Sequence, residues 1–234
     1  MGSLRVAEVF SSVQGEGLWA GTPSTFVRVS GCNLRCGWCD TPYASWRPEG
    51  PVRTVESLVE EVRQASNEHV VLTGGEPMLF EPIIELANRL ASWGHVLTIE
   101  TAGTVYRDLP CDLLSVSPKL SNSAPGERAS ATWKKRHEST RLQPDTLRRL
   151  LARYPYQLKF VVDPEGEADD LGEIEALLRQ IGPVEPARVL LMPEGTDTST
   201  LRRRMALIEP AARSRGWGVS PRLHIELFGN TRGT

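Results

Sequence analysis

The sequence lacks the features that define several specialised classes of protein. No apolar run approaches the ~20 residues that a membrane-spanning helix needs, and the first residues show no signal-peptide profile. The net charge of −2 gives no global reason to expect binding to nucleic acid or to a membrane. No internal repeat is evident. The 234 residues, 40% of them hydrophobic, are enough for one substantial domain, and we expect a single domain over residues 1–234.

Cysteine is also scarce, and its distribution is uneven. Of the four cysteines, Cys32, Cys36 and Cys39 fall within one C-x3-C-x2-C segment. Only Cys111 lies elsewhere, so the three cannot each enter a separate disulfide. Three soft sulfur ligands on one short loop favour a metal centre, and a [4Fe–4S] cube held by three cysteines keeps one iron free. Two alternatives are a four-thiolate zinc site that includes Cys111 and a redox pair formed by Cys36 and Cys39.

Short apolar segments alternate with amphipathic segments along the chain. The segments that read as strands are 5–11, 24–30, 69–73, 96–101, 112–117, 156–162, 188–192 and, last, 220–228. This alternation is typical of parallel βαβ units. Polar and glycine-rich motifs follow the strands, where both a βα barrel and an open doubly wound sheet bind their ligands. Residues 120–143, rich in serine and then basic, indicate an excursion or flexible insertion with a solvated basic face.

Two further segments carry residues suited to a ligand. Arg28 interrupts the apolar strand 24–30, and an arginine among core residues is rarely without a partner. It either pairs with an internal carboxylate such as Glu16 or points into a cavity and binds an anionic ligand. After strand 69–73, Gly74 and Gly75 leave bare backbone that a ligand can approach.

The cysteine spacing, with Trp38 just before the last cysteine, and the Gly-Gly-Glu-Pro segment at 74–77 together resemble the radical S-adenosylmethionine (SAM) enzymes. The resemblance implies an α/β fold, a partial TIM-like βα barrel of the radical SAM type with a mainly parallel sheet. It also implies one [4Fe–4S] cluster per chain, whose free iron binds the amino and carboxylate groups of SAM. An electron from the reduced cluster then cleaves the sulfonium and yields a 5′-deoxyadenosyl radical.

A narrower resemblance comes from segments 13–17, 26–28, 31–34, 39–41 and 223–234, which are similar to the 7-carboxy-7-deazaguanine synthase family. It implies a carbon–nitrogen lyase that contracts 6-carboxy-5,6,7,8-tetrahydropterin to 7-carboxy-7-deazaguanine with loss of ammonia, in queuosine and 7-deazapurine biosynthesis. SAM is regenerated in this reaction, and Mg²⁺ assists the rearrangement. No residue is assigned as a general acid or base.

The same resemblance assigns residues to the site. The cluster ligands are Cys32, Cys36 and Cys39, and Thr41 is a ligand of Mg²⁺, which prefers oxygen. The SAM-binding residues are Trp38, Cys39, Asp40, Gly75, Ser117, Pro118 and Lys119. The substrate-binding residues are Val13, Gln14, Gly15, Glu16, Arg28, Thr73, His224 and Thr234, with Arg28 facing the pterin carboxylate.

Two other functions stay open at this point. An activating protein for a glycyl-radical enzyme also carries the C-x3-C-x2-C spacing, but it must seat a peptide loop, whereas residues 14–16 and Arg28 suit a small carboxylated ligand. A non-enzymatic zinc-binding module is the second. For partners, the resemblance implies a homodimer and a flavodoxin-type electron donor. A cluster that an oxidant would destroy indicates a reducing cytoplasm.

Overall fold

One mixed β-sheet organises the computed structural model, which describes residues 2–234. Its strands, in chain order, are β1 (Ser3–Val13), β2 (Pro23–Val29), β3 (Val52–Thr54), β4 (His69–Gly74), β5 (Val96–Thr101), β6 (Leu113–Val116), β7 (Tyr156–Val162), β8 (Val189–Pro193) and β9 (Gly218–Val219). Across the sheet their order is β3-β1-β2-β4-β5-β6-β7-β8-β9. β1 runs antiparallel to β2 and β3, and all neighbours from β2 to β9 pair in parallel. Since no ladder joins β3 to β9 within residues 2–234, the sheet is an unclosed, partial barrel, which confirms the predicted fold class.

Helices occupy most of the connections between parallel strands. They are α1 (Pro42–Ser45), α2 (Val55–Gln64), α3 (Pro82–Ser92), α4 (Ala131–Thr140), α5 (Pro144–Arg153), α6 (Asp170–Ile181), α7 (Thr198–Ser214) and α8 (Leu223–Phe228). Local sequence sets their starts: the side chain of Thr54 accepts a hydrogen bond from the Ser57 amide, as the sequence predicts for an N-cap, and Asp197 caps α7 in the same way.

The two faces of the parallel strands differ because successive side chains point to opposite sides of a strand. Leu72, Ile99 and Phe160 point outward and are fully buried against the helices in one continuous hydrophobic core. Burying a side chain of this size contributes roughly 1.5–3 kcal/mol. Thr73, Glu100 and Lys159, each adjacent in the chain to one of these residues, point to the inner face and line a cavity. The apolar face therefore holds the barrel together, and the polar face forms the site.

The prediction of a strand over 220–228 is wrong. The Ser220 amide still donates to the carbonyl of Leu191 at 2.8 Å, which extends the sheet by one bond beyond β9. Pro221 has no N–H for the ladder, and from Leu223 the chain turns into α8. Its first amide donates to the Gly15 carbonyl at 2.8 Å, so the helix packs on the loop that follows β1.

Residues 120–143, predicted as an excursion, contain α4, whose first turn is capped by Ser130. The segment folds back onto the cysteine loop, which we define as residues 31–40: the Gly37 amide donates to the Ser123 carbonyl at 3.0 Å. No helix within residues 2–234 has both the length and the apolar composition needed to cross a membrane.

Candidate active site

A cavity of about 300 Å³ opens at the carboxyl ends of the parallel strands. Its volume lies at the lower end of the range of about 300–1,000 Å³ that is usual for small-molecule sites. Every residue assigned to the site in the sequence analysis lines this cavity except Pro118, which is buried beside it between Ser117 and Lys119. The strand order explains part of this convergence, because parallel strands bring their carboxyl ends to one edge. Residues 13–16 reach the cavity differently: they lie at the end of β1, which runs antiparallel and ends beside Pro23 at the start of β2.

The cysteine loop follows β2, is anchored to α1 at its start and contains a backbone hydrogen bond of its own. The Gly31 amide donates to the Ala44 carbonyl at 2.7 Å, and the Cys39 amide donates to the Cys36 carbonyl at 3.3 Å. All three thiols are free of disulfides and line the same cavity. The Leu34 amide donates to the Sγ of Cys32 at 3.4 Å, and the Sγ of Cys39 lies 3.1 Å from the Ser45 hydroxyl.

The donor set of this loop fits a polynuclear centre. Burial raises the pKa of Cys32 and of Cys36 to about 12, so thiolates at these positions need a cationic centre beside them. Within residues 2–234, no three His, Cys, Asp or Glu side chains gather closely enough to hold a single metal ion. In a [4Fe–4S] cube each cysteine binds a different iron, so its ligands are spread more widely than those of a single ion.

Cys111 stands apart from the other cysteines. It precedes β6, whereas Ser117 and the cavity lie beyond the carboxyl end of that strand. The structure therefore does not assemble the four-thiolate site that the sequence left open.

The Gly-Gly-Glu-Pro segment packs directly against the cysteine loop. Gly74 has a φ of +137°, a conformation that only glycine adopts readily, and a Cβ there would collide with the backbone of Val29. A Cβ on Gly75 would overlap the carbonyl oxygen of Gly31. The Glu76 amide donates to that same carbonyl at 2.9 Å. The two motifs thus form one backbone unit at the ends of β2 and β4.

Glu76 has a structural role in this unit. Its buried carboxylate accepts hydrogen bonds from the amides of Met78 and Ala102, at 3.0 and 2.8 Å, and from the Thr101 hydroxyl at 2.8 Å. Burial raises its pKa in spite of these bonds. The side chain therefore ties the end of β4 to the end of β5 and does not line the cavity.

The residues assigned to SAM form one wall. Lys119 donates to the carbonyl and the hydroxyl of Ser117 at 2.8 and 2.7 Å, and its ammonium lies 5.6 Å from the centre of the Trp38 ring. The indole N–H of Trp38 donates to Asn122 at 3.2 Å. These contacts fix an aromatic face and a cation on the side of the cavity that carries the cysteines.

Arg28 lies on β2, the strand that leads into the cysteine loop, and it lines the same cavity. Its Nε donates to the Glu8 carboxylate at 2.6 Å, and Tyr43 donates to the same oxygen at 2.7 Å. The partner is thus Glu8 and not Glu16, which the sequence analysis named as one alternative. Burial alone would lower the pKa of Arg28. Tyr43 and Glu8 raise it by more than burial lowers it, so the guanidinium stays charged. Within residues 2–234 its two terminal nitrogens have no hydrogen-bond partner, and the side chain lines the cavity.

A largely buried chain of four charged side chains adjoins the cavity. Glu16 accepts hydrogen bonds from Lys159 and, at 3.2 Å, from Arg222, and Arg222 also donates to Asp40. Lys159 and Arg222 are only 5% and 6% exposed. Burial alone would raise the pKa of Glu16. The positive charges of Lys159 and Arg222 lower it by more than burial raises it, so the pKa lies well below its ordinary value. The arrangement links the 14–16 loop to the end of the cysteine loop.

The remaining assigned residues complete the cavity. Gln14 donates to one oxygen of Glu100 at 3.3 Å, and the Thr73 hydroxyl donates to the other at 2.7 Å. His224 on α8 packs on Gly15, where a Cβ would collide with its Nδ1. Burial lowers the pKa of His224. Thr234 closes the rim together with its four neighbours, residues 230–233.

Four residues that shape the site were not predicted from the sequence: Glu8, Glu100, Lys159 and Arg222. Glu100 and Lys159 could have been identified from the sequence, because a charged residue inside an apolar strand is unusual and needs a partner. Nothing in the sequence singles out Glu8 or Arg222, since neither residue interrupts a continuous apolar segment.

Comparisons with known proteins agree with this geometry. The family model described as the Radical SAM superfamily matches residues 26–124, which hold the cysteine loop and the Gly-Gly-Glu-Pro segment. The 7-carboxy-7-deazaguanine synthase of Rhodopirellula baltica is 47% identical over 99% of this chain and 89% of its own length. That of Halobacterium salinarum is 44% identical over 97% and 91%. The crystal structure of QueE from Escherichia coli has a TM-score of 0.65 at 24% identity, covers 93% of both chains and supports the fold.

The fold and the three-cysteine loop define a radical SAM enzyme, a class that implies a [4Fe–4S] cluster and SAM. More narrowly, the chain belongs to the 7-carboxy-7-deazaguanine synthase family.

Proposed function

We propose that the chain contracts the ring of 6-carboxy-5,6,7,8-tetrahydropterin to 7-carboxy-7-deazaguanine with loss of ammonia, in queuosine or another 7-deazapurine biosynthesis. The observation that carries this proposal is the shared cavity: it is lined both by the three cysteines and by Arg28, whose two terminal nitrogens make no hydrogen bond within residues 2–234. Arginine binds a carboxylate through two parallel hydrogen bonds, which fits the acid group of this pterin.

Cys32, Cys36 and Cys39 would hold the cluster, and SAM would lie against Trp38, Cys39, Asp40, Gly75 and the segment Ser117–Pro118–Lys119. When bound, these groups supply the one-electron cleavage that generates a 5′-deoxyadenosyl radical. The protein orients both cofactor and substrate and excludes water. The bare backbone at Gly74 and Gly75 lets amides and carbonyls reach the amino group of a ligand without steric hindrance.

The substrate would lie among Val13, Gln14, Gly15, Glu16, Arg28, Thr73, His224 and Thr234. Two carboxylates, Glu16 and Glu100, face this part of the cavity, and carboxylates accept hydrogen bonds from the N–H groups of a pterin. Each is already held from behind, Glu16 by Lys159 and Glu100 by Gln14 and Thr73. Such support keeps an acceptor in place before the ligand arrives.

Thr41 would bind Mg²⁺ at the end of the cysteine loop. Its hydroxyl lies 3.8 Å from the Sγ of Cys39 and faces the cavity. A single protein oxygen is enough, because Mg²⁺ usually keeps water or substrate oxygens in its shell.

We further propose that residues 1–234 act as one radical SAM domain, that two copies form a homodimer, and that a flavodoxin-type protein supplies the electron. The cytoplasm is the expected location, since a cysteine-bound cluster needs reducing conditions.

An anaerobic turnover assay tests the proposed function. The protein with its reconstituted cluster is incubated with the pterin, SAM, Mg²⁺ and dithionite. We expect a product with deazapurine absorbance, ammonia in equal amount and no net consumption of SAM. Steady release of 5′-deoxyadenosine without loss of the pterin would contradict the proposal.

A further inference from the structure

A basic surface covers the outer side of the cysteine loop. We call it the α4 surface and define it by Arg35, Arg128, Trp133, Lys134, Lys135 and Arg136. Arg128 and the three basic residues of α4 are exposed. The composition is unexpected in a chain whose net charge is −2, and neither the proposed reaction nor the core of the fold uses these side chains.

The α4 surface is attached directly to the loop that carries the thiols. The Arg35 amide donates to Nδ1 of the buried His137 at 3.1 Å, and Nε2 of His137 lies 3.1 Å from the Ser123 hydroxyl. Arg128 donates to the carbonyl of Gly37 at 3.4 Å. These contacts place the α4 surface directly against the cysteine loop, whose three cysteines also line the cavity.

The cations on this surface are not neutralised. Within residues 2–234, the ion pairs near α4 use Arg141, with Glu138 and Glu173. The five cations of the α4 surface have no carboxylate within ion-pair distance in that range, and the one other acidic residue in the segment is Glu127. A field of one sign attracts a partner of opposite charge and speeds its association.

Aromatic rings lie among these cations. The guanidinium of Arg35 stacks 3.9 Å from the centre of the Trp133 ring, and that of Arg136 lies 4.9 Å from the same ring. Arg128 lies 4.5 Å from the ring of Trp46, whose indole N–H donates to the Cys36 carbonyl at 3.0 Å. Tryptophan and arginine are the residues most enriched where protein partners bind tightly.

We propose that the α4 surface is the docking site of an acidic protein that donates one electron, of the flavodoxin type. This inference rests on the proposed function, because only a redox centre on the cysteine loop needs such a donor. One electron leaves the donor's reduced flavin and enters the cluster, so the flavin is oxidised by one electron, the cluster is reduced by one, and no bond breaks. Electron transfer slows steeply with distance, and residues of the α4 surface hydrogen-bond directly with the cysteine loop and with the helix behind it.

The test compares two variants that change the total charge equally. Lys134→Glu with Lys135→Glu reverses two cations of the α4 surface, and Arg202→Glu with Arg213→Glu reverses two exposed arginines on α7. Each protein carries its cluster. Association with oxidised flavodoxin is measured at about 0.01 M and 1 M salt, where the Debye length is about 30 and 3 Å. Stopped-flow absorbance then follows reduction of each protein by reduced flavodoxin.

We expect the α4 variant to associate about 10-fold more slowly than wild type at low salt and to match it at high salt. The α7 variant should behave like wild type. Equal association of both variants with flavodoxin would overturn the proposal. So would loss of tRNA binding in the α4 variant with flavodoxin association unchanged, because the surface would then bind RNA.

Dithionite separates this inference from the proposed function. It is small and needs no docking site, so with dithionite the α4 variant should turn over the pterin at the wild-type rate. If wild type with dithionite makes no product, the proposed function fails while the flavodoxin association data still stand. If the α4 variant alone fails with dithionite, the segment is needed for the fold of the loop and the docking proposal is wrong.

Discussion

Lys159 on β7 donates a hydrogen bond to the carboxylate of Glu16, which follows β1, although 143 positions separate them in the chain. The contact crosses the interior of the partial barrel. It joins the loop proposed to hold the substrate to the middle of the parallel sheet. Because both side chains are largely shielded from water, their charges depend on each other.

Replacing Lys159 with methionine should therefore destabilise the protein. Removing one partner of a buried ion pair costs about 3–5 kcal/mol, and we expect a loss of about 3 kcal/mol, since Arg222 still contacts Glu16. The measurement is chemical denaturation under anaerobic conditions. The double variant Lys159→Met with Glu16→Gln has no unpaired carboxylate and should recover much of the loss. Simple addition of the two single effects would show that the pair is not coupled.

Acid should weaken the same contact. Burial raises the pKa of Glu16, but Lys159 and Arg222 hold it below its ordinary value of 4.5. A carboxyl group whose folded pKa is depressed stabilises the fold above the unfolded pKa, and this contribution falls as the pH drops below that value. The melting temperature of wild type should thus decrease more steeply from about pH 6 to about pH 3 than that of Glu16→Gln. Parallel curves for the two proteins would contradict the assignment.

The sequence predicts those parts of the site that local residues determine. The three cysteines lie within one short segment, and so do the two glycines before Glu76. The structure places both segments at the same cavity. The alternation of apolar strands and helices likewise predicts the parallel sheet, because each strand is short and continuous. These features need no knowledge of which distant segments meet.

The rest of the site depends on contacts between distant segments. The partner of Arg28 is Glu8 because β1 and β2 pair antiparallel in the register that brings these two residues together. From the sequence, Glu16 is a possible partner of Arg28, and Glu8 is not singled out. The sequence of segment 223–228 is compatible with both a strand and a helix. It forms a helix because Pro221 ends the ladder of hydrogen bonds and because α8 packs on Gly15. Such choices are made by tertiary structure and not by local preference.

The cluster assignment predicts different outcomes for two cysteines. Cys36→Ala should abolish iron binding and SAM cleavage, because a loop with two thiolates cannot hold the cube. Cys111→Ala is the matched control, since Cys111 does not line the cavity, and it should retain about four irons per chain. Iron and zinc analysis of anaerobic preparations makes the measurement. If both variants lose their metal and wild type holds one zinc, the result would contradict the cluster and support the four-thiolate zinc site that includes Cys111.

Arg28 should control substrate affinity and not cofactor binding. Arg28→Gln removes the charge and the fork, and we expect the KM for the pterin to rise about 30-fold, equivalent to ~2 kcal/mol for a charged hydrogen bond. Arg28→Lys keeps the charge but lacks the planar guanidinium, so its KM should lie between that of wild type and that of Arg28→Gln. Iron content and SAM affinity should stay at wild-type values. A KM unchanged in the glutamine variant would remove Arg28 from the substrate site.

Thr41 offers the sharpest test of the Mg²⁺ site, because its side chain makes no capping hydrogen bond to α1. Thr41→Val keeps the shape of the side chain and removes only the oxygen ligand, whereas Thr41→Ser keeps the oxygen. We expect the turnover rate of the valine variant to become insensitive to added Mg²⁺, while the serine variant responds as wild type does. Titration of each protein with Mg²⁺ in the dithionite assay gives the measurement. If all three proteins respond equally, the ion is bound elsewhere, because no oxygen at position 41 would then be needed.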